Sequence, residues 1–249
     1  MKVTILGSGT GIPSLARNAA GYLLDINQQQ WLIDCGSATL KQLLHVGRSH
    51  ENLDGIFITH THPDHIGDLI PLLHALRLPG LTREKPLKIV GPPGFPGFFE
   101  EIIVAVAGLP KTFEVIVSEA QNRWQLDGVT ICSTPTLHSD KMSSVGYRFE
   151  HNGKIIVFSG DSDYDQNIVD LARGGDLVIL DCSTLADGKV PGHLSAAECG
   201  RVGEEAGAKR LLLSHFYPIE GADSRRQEEC QAHFDGKIIL AEDFLTVVV

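Results

Sequence analysis

The stretch ITHTHPDHIGD, residues 58–68, packs three histidines and two acids into eleven positions directly behind an apolar run. That run, 53–59, reads as a strand, so the polar residues after Thr59 emerge at a sheet edge. In a turn of this kind His60 and His62 can aim their imidazoles at one ion while Asp64 and His65 aim at a neighbour. Four potential ligands in the six positions 60–65 are too dense a set for ordinary solvated loop residues. Imidazole and carboxylate without thiolate suit Zn(II), Mn(II) or a related divalent ion.

Working outward, three more candidates stand at strand exits. His138 follows ICSTPTL, Asp161 follows IIVFSG and His215 follows RLLLS. The exit of an apolar strand is where a sheet edge presents chemistry. With the first cluster these make seven ligands, enough for two ions when Asp161 bridges them. Asp34, in LIDCG at 32–36, is expected to support the histidine loop from behind rather than to ligate directly.

Short strands are predicted at 2–6, 21–26 and 31–34, each closed by glycine, asparagine or acid. Helical spacing follows at 38–46. A helix starting at 66 or 68 and ending at 76 would take Asp68 as its cap, with Pro71 in its first turn. A strand at 87–90 lies in the loop-rich stretch 79–98, followed by a helix at 98–106 and a strand at 113–117. The pattern then restarts with strands at 128–134, 144–150, 154–159 and 176–181, and Asn152-Gly153 closes a hairpin. Helices at 167–172 and 195–205 separate later strands at 210–214 and 237–240; Ser195 and Glu198 form a capping box. This repetition predicts an α/β fold: one domain over 1–249 made of two similar halves, about 1–125 and 126–249, with β-rich layers face to face and helices outside.

The ligand pattern resembles the metallo-β-lactamase superfamily, whose HxHxDH motif stands here as His60, His62, Asp64 and His65. The resemblance implies a four-layer αββα sandwich covering essentially the entire chain. It also implies that His60, His62 and His138 hold one metal, Asp64, His65 and His215 the second, and that Asp161 bridges. Two divalent ions, Zn(II) with Mn(II) as the other candidate, can share a water, lower its pKa and hold it as hydroxide against an ester phosphorus. The implied enzyme is a metal-dependent hydrolase that needs no serine or cysteine nucleophile.

His193, in PGHLSAAECG, is surplus to the seven-ligand set. It resembles the histidine of the ribonuclease Z-like branch that contacts substrate phosphate and assists leaving-group protonation. Asp181, at the end of DLVIL, stands where that branch carries a glutamate. The catalytic set implied is therefore Asp64, His193 and Asp181, with Asp181 orienting His193. Ribonuclease Z carries a long arm for transfer RNA, in the bacterial enzymes between the positions matching His138 and Asp161. Residues 139–160 leave no room for one.

Charge points the same way: 21 Lys and Arg against 31 Asp and Glu give a net charge of -10, which argues against an extended duplex nucleic-acid interface. The expected substrate is a small cyclic or linear phosphodiester or short nucleotide. The alternatives are a ribonuclease Z-type endoribonuclease on transfer RNA precursors, a sulfatase-like ester hydrolase, or a noncatalytic metal-binding protein. A homodimer is the assembly the resemblance allows.

Five cysteines without a CxxC pair argue against a disulfide framework, and Cys35, Cys132 and Cys182 read as buried fillers. The N-terminus reads as a first strand rather than a signal peptide, and no apolar run is long enough to span a bilayer. These readings place the protein in a soluble, cytoplasmic compartment with no membrane partner. SGTG at 8–11 is expected to turn at the rim of the cleft, and Phe216, Tyr217 and Pro218 to wall it or pack its loop. His45, His50, His151 and His233 read as surface residues, and His74 as a hydrogen-bonded structural residue.

Overall fold

The computed structural model describes residues 1–80 and 83–249; Leu81 and Thr82, within the loop-rich stretch 79–98, lie outside them. The described strands are β1 (Lys2–Gly7), β2 (Gly21–Ile26), β3 (Gln29–Ile33), β4 (Gly55–Phe57), β5 (Leu87–Gly91), β6 (Val115–Glu119), β7 (Arg123–Leu126), β8 (Val129–Pro135), β9 (Val145–His151), β10 (Lys154–Phe158), β11 (Leu177–Asp181), β12 (Arg210–Ser214), β13 (Lys237–Leu240) and β14 (Thr246–Val248). They form two seven-stranded sheets, ordered β14-β1-β2-β3-β4-β5-β6 and β13-β12-β11-β10-β9-β8-β7.

Both sheets repeat one pattern of pairing. In the first, β14, β1, β2 and β3 pair antiparallel and β3 to β6 pair parallel. In the second, β7 to β10 pair antiparallel and β10 to β13 pair parallel. Helices cross between the parallel strands, so the inner ones are covered on both faces, as β11 (LVILD) is along its whole length.

Side chains one residue apart point to opposite faces of a strand, and the two cores follow from that. Leu24, Trp31, Ile33 and Phe57 face the second sheet, where they meet Ile131, Tyr147, Phe149 and Ile156. Their neighbours Leu23, Leu32 and Ile56 point the other way, onto Leu43, Leu72 and Phe99 from the helical segments of the first half. Ring contacts tie the sheets together: Phe57 lies 5.1 Å from Phe149, edge to face, and Trp31 lies 5.8 Å from Phe149. On the outer face of the second sheet the helices Gln166–Ala172 and Ala196–Ala206 bury Ile168, Cys199 and Val202. The four-layer αββα sandwich is therefore present.

Local expectations held where the chemistry was local. Asn152 and Gly153 adopt φ of 50° and 72°, the mirror-image turn that lets β9 fold back onto β10. Ser195 accepts the Glu198 amide while Glu198 accepts the Ser195 amide, completing the capping box.

Other expectations need correction. Asp68 does not cap the helix Leu69–Ala75; its carboxylate accepts the amides of Ala38 and Leu40 at 2.9 Å and so caps the helix Thr39–His45 instead. The helix expected at 98–106 begins at Phe95 and runs 95–107, with a π-helical centre at Phe99–Val104. His74 is exposed and makes no side-chain hydrogen bond among the described residues. Cys35, Cys182, Cys199 and Cys230 are buried, whereas Cys132 is only partly covered. Among the described residues no helix is long and apolar enough to cross a membrane.

Candidate metal centre

LIDCG and the histidine run are folded as one unit. Asp34 leaves β3 with φ of 58°, a left-handed turn that aims its carboxylate back under the next loop. There it accepts the Thr59 amide at 2.8 Å and meets His65 Nδ1 at 2.8 Å. The Cys35 amide donates to the His65 carbonyl at 2.7 Å, and the Asp68 amide donates to the Cys35 carbonyl at 2.9 Å. Gly36 has to be glycine here, because a Cβ would lie 2.1 Å from the Asp64 carbonyl oxygen and 2.7 Å from that of Ala20. Gly36→Ala is expected to destabilise the fold by about 1–3 kcal/mol or more through this overlap. Thermal unfolding together with metal content would check it, since the alanine also pushes on the backbone of Asp64.

All seven sequence-predicted ligand positions converge. His60 Nε2 and His138 Nε2 each lie 3.0 Å from His62 Nδ1, and 3.6 and 3.8 Å from Asp161 Oδ2. On the other side His65 Nε2 and His215 Nε2 lie 3.3 Å apart, 3.3 and 3.4 Å from Asp161 Oδ1, and 3.7 and 3.4 Å from Asp64 Oδ2. Asp161 thus turns one oxygen to each group of donors.

These spacings fit a metal pair. Four donors at tetrahedral corners, each about 2.0–2.1 Å from an ion, stand roughly 3.3–3.4 Å from one another. The donor sets His60, His62, His138, Asp161 and Asp64, His65, His215 each lie within 4.8 Å of one another. Nitrogens outside the cluster are committed elsewhere: His65 Nδ1 to Asp34, His138 Nδ1 to the Gly192 carbonyl at 2.9 Å, and His215 Nδ1 to Ser183 Oγ at 3.0 Å. In the neutral ring each such bond favours the Nδ1–H tautomer, whose Nε2 lone pair faces the cluster.

The electrostatics also call for cations. Asp34, Asp161 and Asp181 are almost wholly buried, and their ion-pair partners among the described residues are histidines rather than lysines or arginines. Burial opposes charge on His215, but Asp161, Asp181 and Asp64 overcome it and lift its pKa to about 10. Burial likewise opposes charge on His65, and Asp161 with Asp34 raises it well above the usual range. His60 is held neutral by burial and by the neighbouring His65.

His193 and Asp181 stand beside this cluster. His193 Nδ1 lies 2.8 Å from Asp181 Oδ2, its ring stacks 5.5 Å from that of His215, and its Nε2 makes no hydrogen bond to the described residues. Sequence reasoning missed Ser183, whose hydroxyl donates to Asp181 Oδ1 at 2.6 Å and touches both His193 and His215. It also missed the strap that carries His193. Asp163 accepts the Gly192 amide at 2.9 Å and pairs with Lys189 at 2.6 Å, while Lys189 reaches Glu198. SGTG does turn beside the cluster: a Cβ on Gly11 would touch the Asp64 carboxylate at 3.5 Å. Phe216 packs inward, and Tyr217 stands 5.7 Å from the His193 ring.

The profile of the Beta-lactamase superfamily domain matches residues 29–216. Ribonuclease Z of Brevibacillus brevis is 30% identical over 298 aligned positions, covering 97% of this chain and 91% of that protein. The probable metallo-hydrolase YhfI of Bacillus subtilis is also 30% identical, over 247 positions and 97% of both chains. The crystal structure of YhfI superposes with a TM-score of 0.86 at 27% identity, covering 99% of this chain and 98% of that one. Human tRNase Z, short form, gives 0.82 at 25% identity, covering 100% and 99%. Taken with the geometry, these matches show that the chain belongs to the metallo-β-lactamase superfamily, in its ribonuclease Z-like branch, and is a metal-dependent hydrolase.

Proposed function

We propose that this hydrolase is a phosphodiesterase with a ribonuclease Z-type site, cutting a P–O bond in RNA. The observation that carries the reading is the His193–Asp181 pair, 2.8 Å apart and directly beside the two donor sets. His60, His62 and His138 would hold one divalent ion, Asp64, His65 and His215 the other, and Asp161 both. When bound, such ions lower the pKa of water and offset charge on the phosphate oxygens.

The chain's own groups do the rest. Asp64 is only partly buried and lies at the open side of the cluster, where its free oxygen can orient the attacking water. Asp181 accepts a hydrogen bond from the Nδ1–H of His193 and favours the protonated ring, whose Nε2–H is then free to meet the phosphate. From there it can bind a nonbridging oxygen or pass its proton to the departing alkoxide. Ser183 keeps Asp181 from rotating.

RNA as substrate is supported by relatives named ribonuclease Z and tRNase Z that align along nearly the whole chain. This reading displaces the small phosphodiester that charge and compactness favoured. The smaller substrate keeps one specific support. The alignment to Ribonuclease Z runs to 298 positions against the 249 residues of this chain, so that relative carries segments absent here. YhfI, by contrast, matches without extra length. Residues 139–160 are occupied by β9 and β10 and the turns around them.

One assay separates the two. Metal-loaded protein should hydrolyse bis(p-nitrophenyl) phosphate and remove the 3' trailer from a precursor transfer RNA. Turnover of cyclic nucleotides with the precursor left intact would replace RNA by the small substrate. Inertness toward every phosphodiester would remove the reading altogether.

A further inference from the structure

A cavity of about 470 Å³ opens between the loop 9–17 and the segment 216–226, within the size range of small-molecule sites. We propose that it binds the planar, uncharged ring of a nucleoside joined to the scissile phosphate, with Tyr217 as the stacking residue. The inference rests on the phosphodiesterase reading above and adds a specificity pocket to it.

Three observations lead there. The cavity is fixed relative to the metal cluster: the Phe216 amide donates to the Ser8 carbonyl at 2.9 Å, the Tyr217 amide to the Ser183 carbonyl at 3.2 Å, and the Tyr217 ring stands 5.7 Å from that of His193. A group attached to a phosphate held at His193 therefore has this cavity as its neighbour.

Three of the four charged side chains in its wall, Arg17, Asp223 and Arg226, are paired with one another, and the fourth, Glu220, is an exposed carboxylate that would repel an anion. Arg17 and Arg226 each stack on the Phe216 ring, 4.5 Å from its centroid, and both pair with Asp223, at 3.1 and 2.9 Å. Arg226 also donates to the Tyr217 carbonyl, and Arg17 to Ser8 and to the Ala241 carbonyl. Their donors hold the wall together rather than face an incoming anion, so the phosphate stays at the metal cluster and the cavity takes the uncharged part of the substrate.

Beyond Glu220 and the hydroxyls of Ser14 and Ser224, the surface open to a ligand is apolar. Ile12 is 48% exposed and Ile219 42% exposed, and Pro218 and Tyr217 complete the surface. The Tyr217 hydroxyl makes no hydrogen bond among the described residues, so the ring is held by its backbone and its packing alone. An aromatic ring beside exposed isoleucines suits a flat partner of any base identity, because every base has a π-face.

The test compares two ligands that share a sugar and a phosphate and differ in the ring: adenosine 5'-monophosphate and ribose 5-phosphate, titrated calorimetrically into metal-loaded protein. The nucleotide is expected to bind roughly tenfold or more tightly. Tyr217→Ala should erase that advantage and Tyr217→Phe should keep it. Ile219→Trp, which fills the cavity from its exposed side, should erase it without touching the residues around the metals. Equal affinities in the unmodified protein, or an undiminished advantage in Tyr217→Ala, would overturn the proposal. The comparison needs no turnover, so a protein that binds the ring but hydrolyses no phosphodiester would sink the proposed reaction while leaving the pocket standing.

Discussion

His193→Ala should lower turnover of bis(p-nitrophenyl) phosphate by about 10²–10³-fold, the range for losing one donor to a developing oxyanion, while leaving two metal ions per chain. The separation follows from geometry. His193 Nδ1 donates to Asp181 at 2.8 Å, which leaves that nitrogen no lone pair for an ion near Asp161. Metal retention should therefore be indifferent to this side chain. Elemental analysis alongside steady-state rates would decide. Equal rates in both proteins would remove His193 from the reaction, and lost metal would make it a ligand instead. If His193 protonates the leaving group, the defect should shrink for p-nitrophenyl esters relative to alkyl esters, since nitrophenolate departs without help.

Asp161→Ala should act on metal and rate together. Its two oxygens face different donor sets, so losing the carboxylate strips one donor from each and removes the negative charge shared between them. We expect metal content to fall from two ions to one or fewer, and turnover to drop on the order of 10³-fold or more, because several kcal/mol of transition-state stabilisation depend on the ions. Circular dichroism guards against the trivial outcome of an unfolded chain. A folded Asp161→Ala protein that still holds two ions would end the bridging assignment.

How legible the molecule was depends on where each signal lies. The candidate ligand positions could be read because they gather just past the exits of four strands, where an imidazole or carboxylate has few structural uses. The hairpin at Asn152-Gly153 and the cap at Ser195 were readable because their physics sits within four residues. Three elements were not readable. β7 and β14 are edge strands of four and three residues, too short for alternation to announce them. The helix Ala222–Gln231 buries only Ala222, Arg226 and Cys230, and one of those three is charged. Long-range hydrogen bonds were invisible for a different reason. Asp68 caps a helix some thirty residues earlier, and Ser183 gains its role only when β11 and β12 lie side by side, facts of register rather than of composition.

The wall built on Phe216 carries one more consequence. Two guanidiniums clasp that ring, a single carboxylate locks both of them, and amides on either side are tied to Ser8 and Ser183. A doorway framed this way works as a fixed gauge: it sorts visitors by shape at the threshold, with little of the protein left to yield around them.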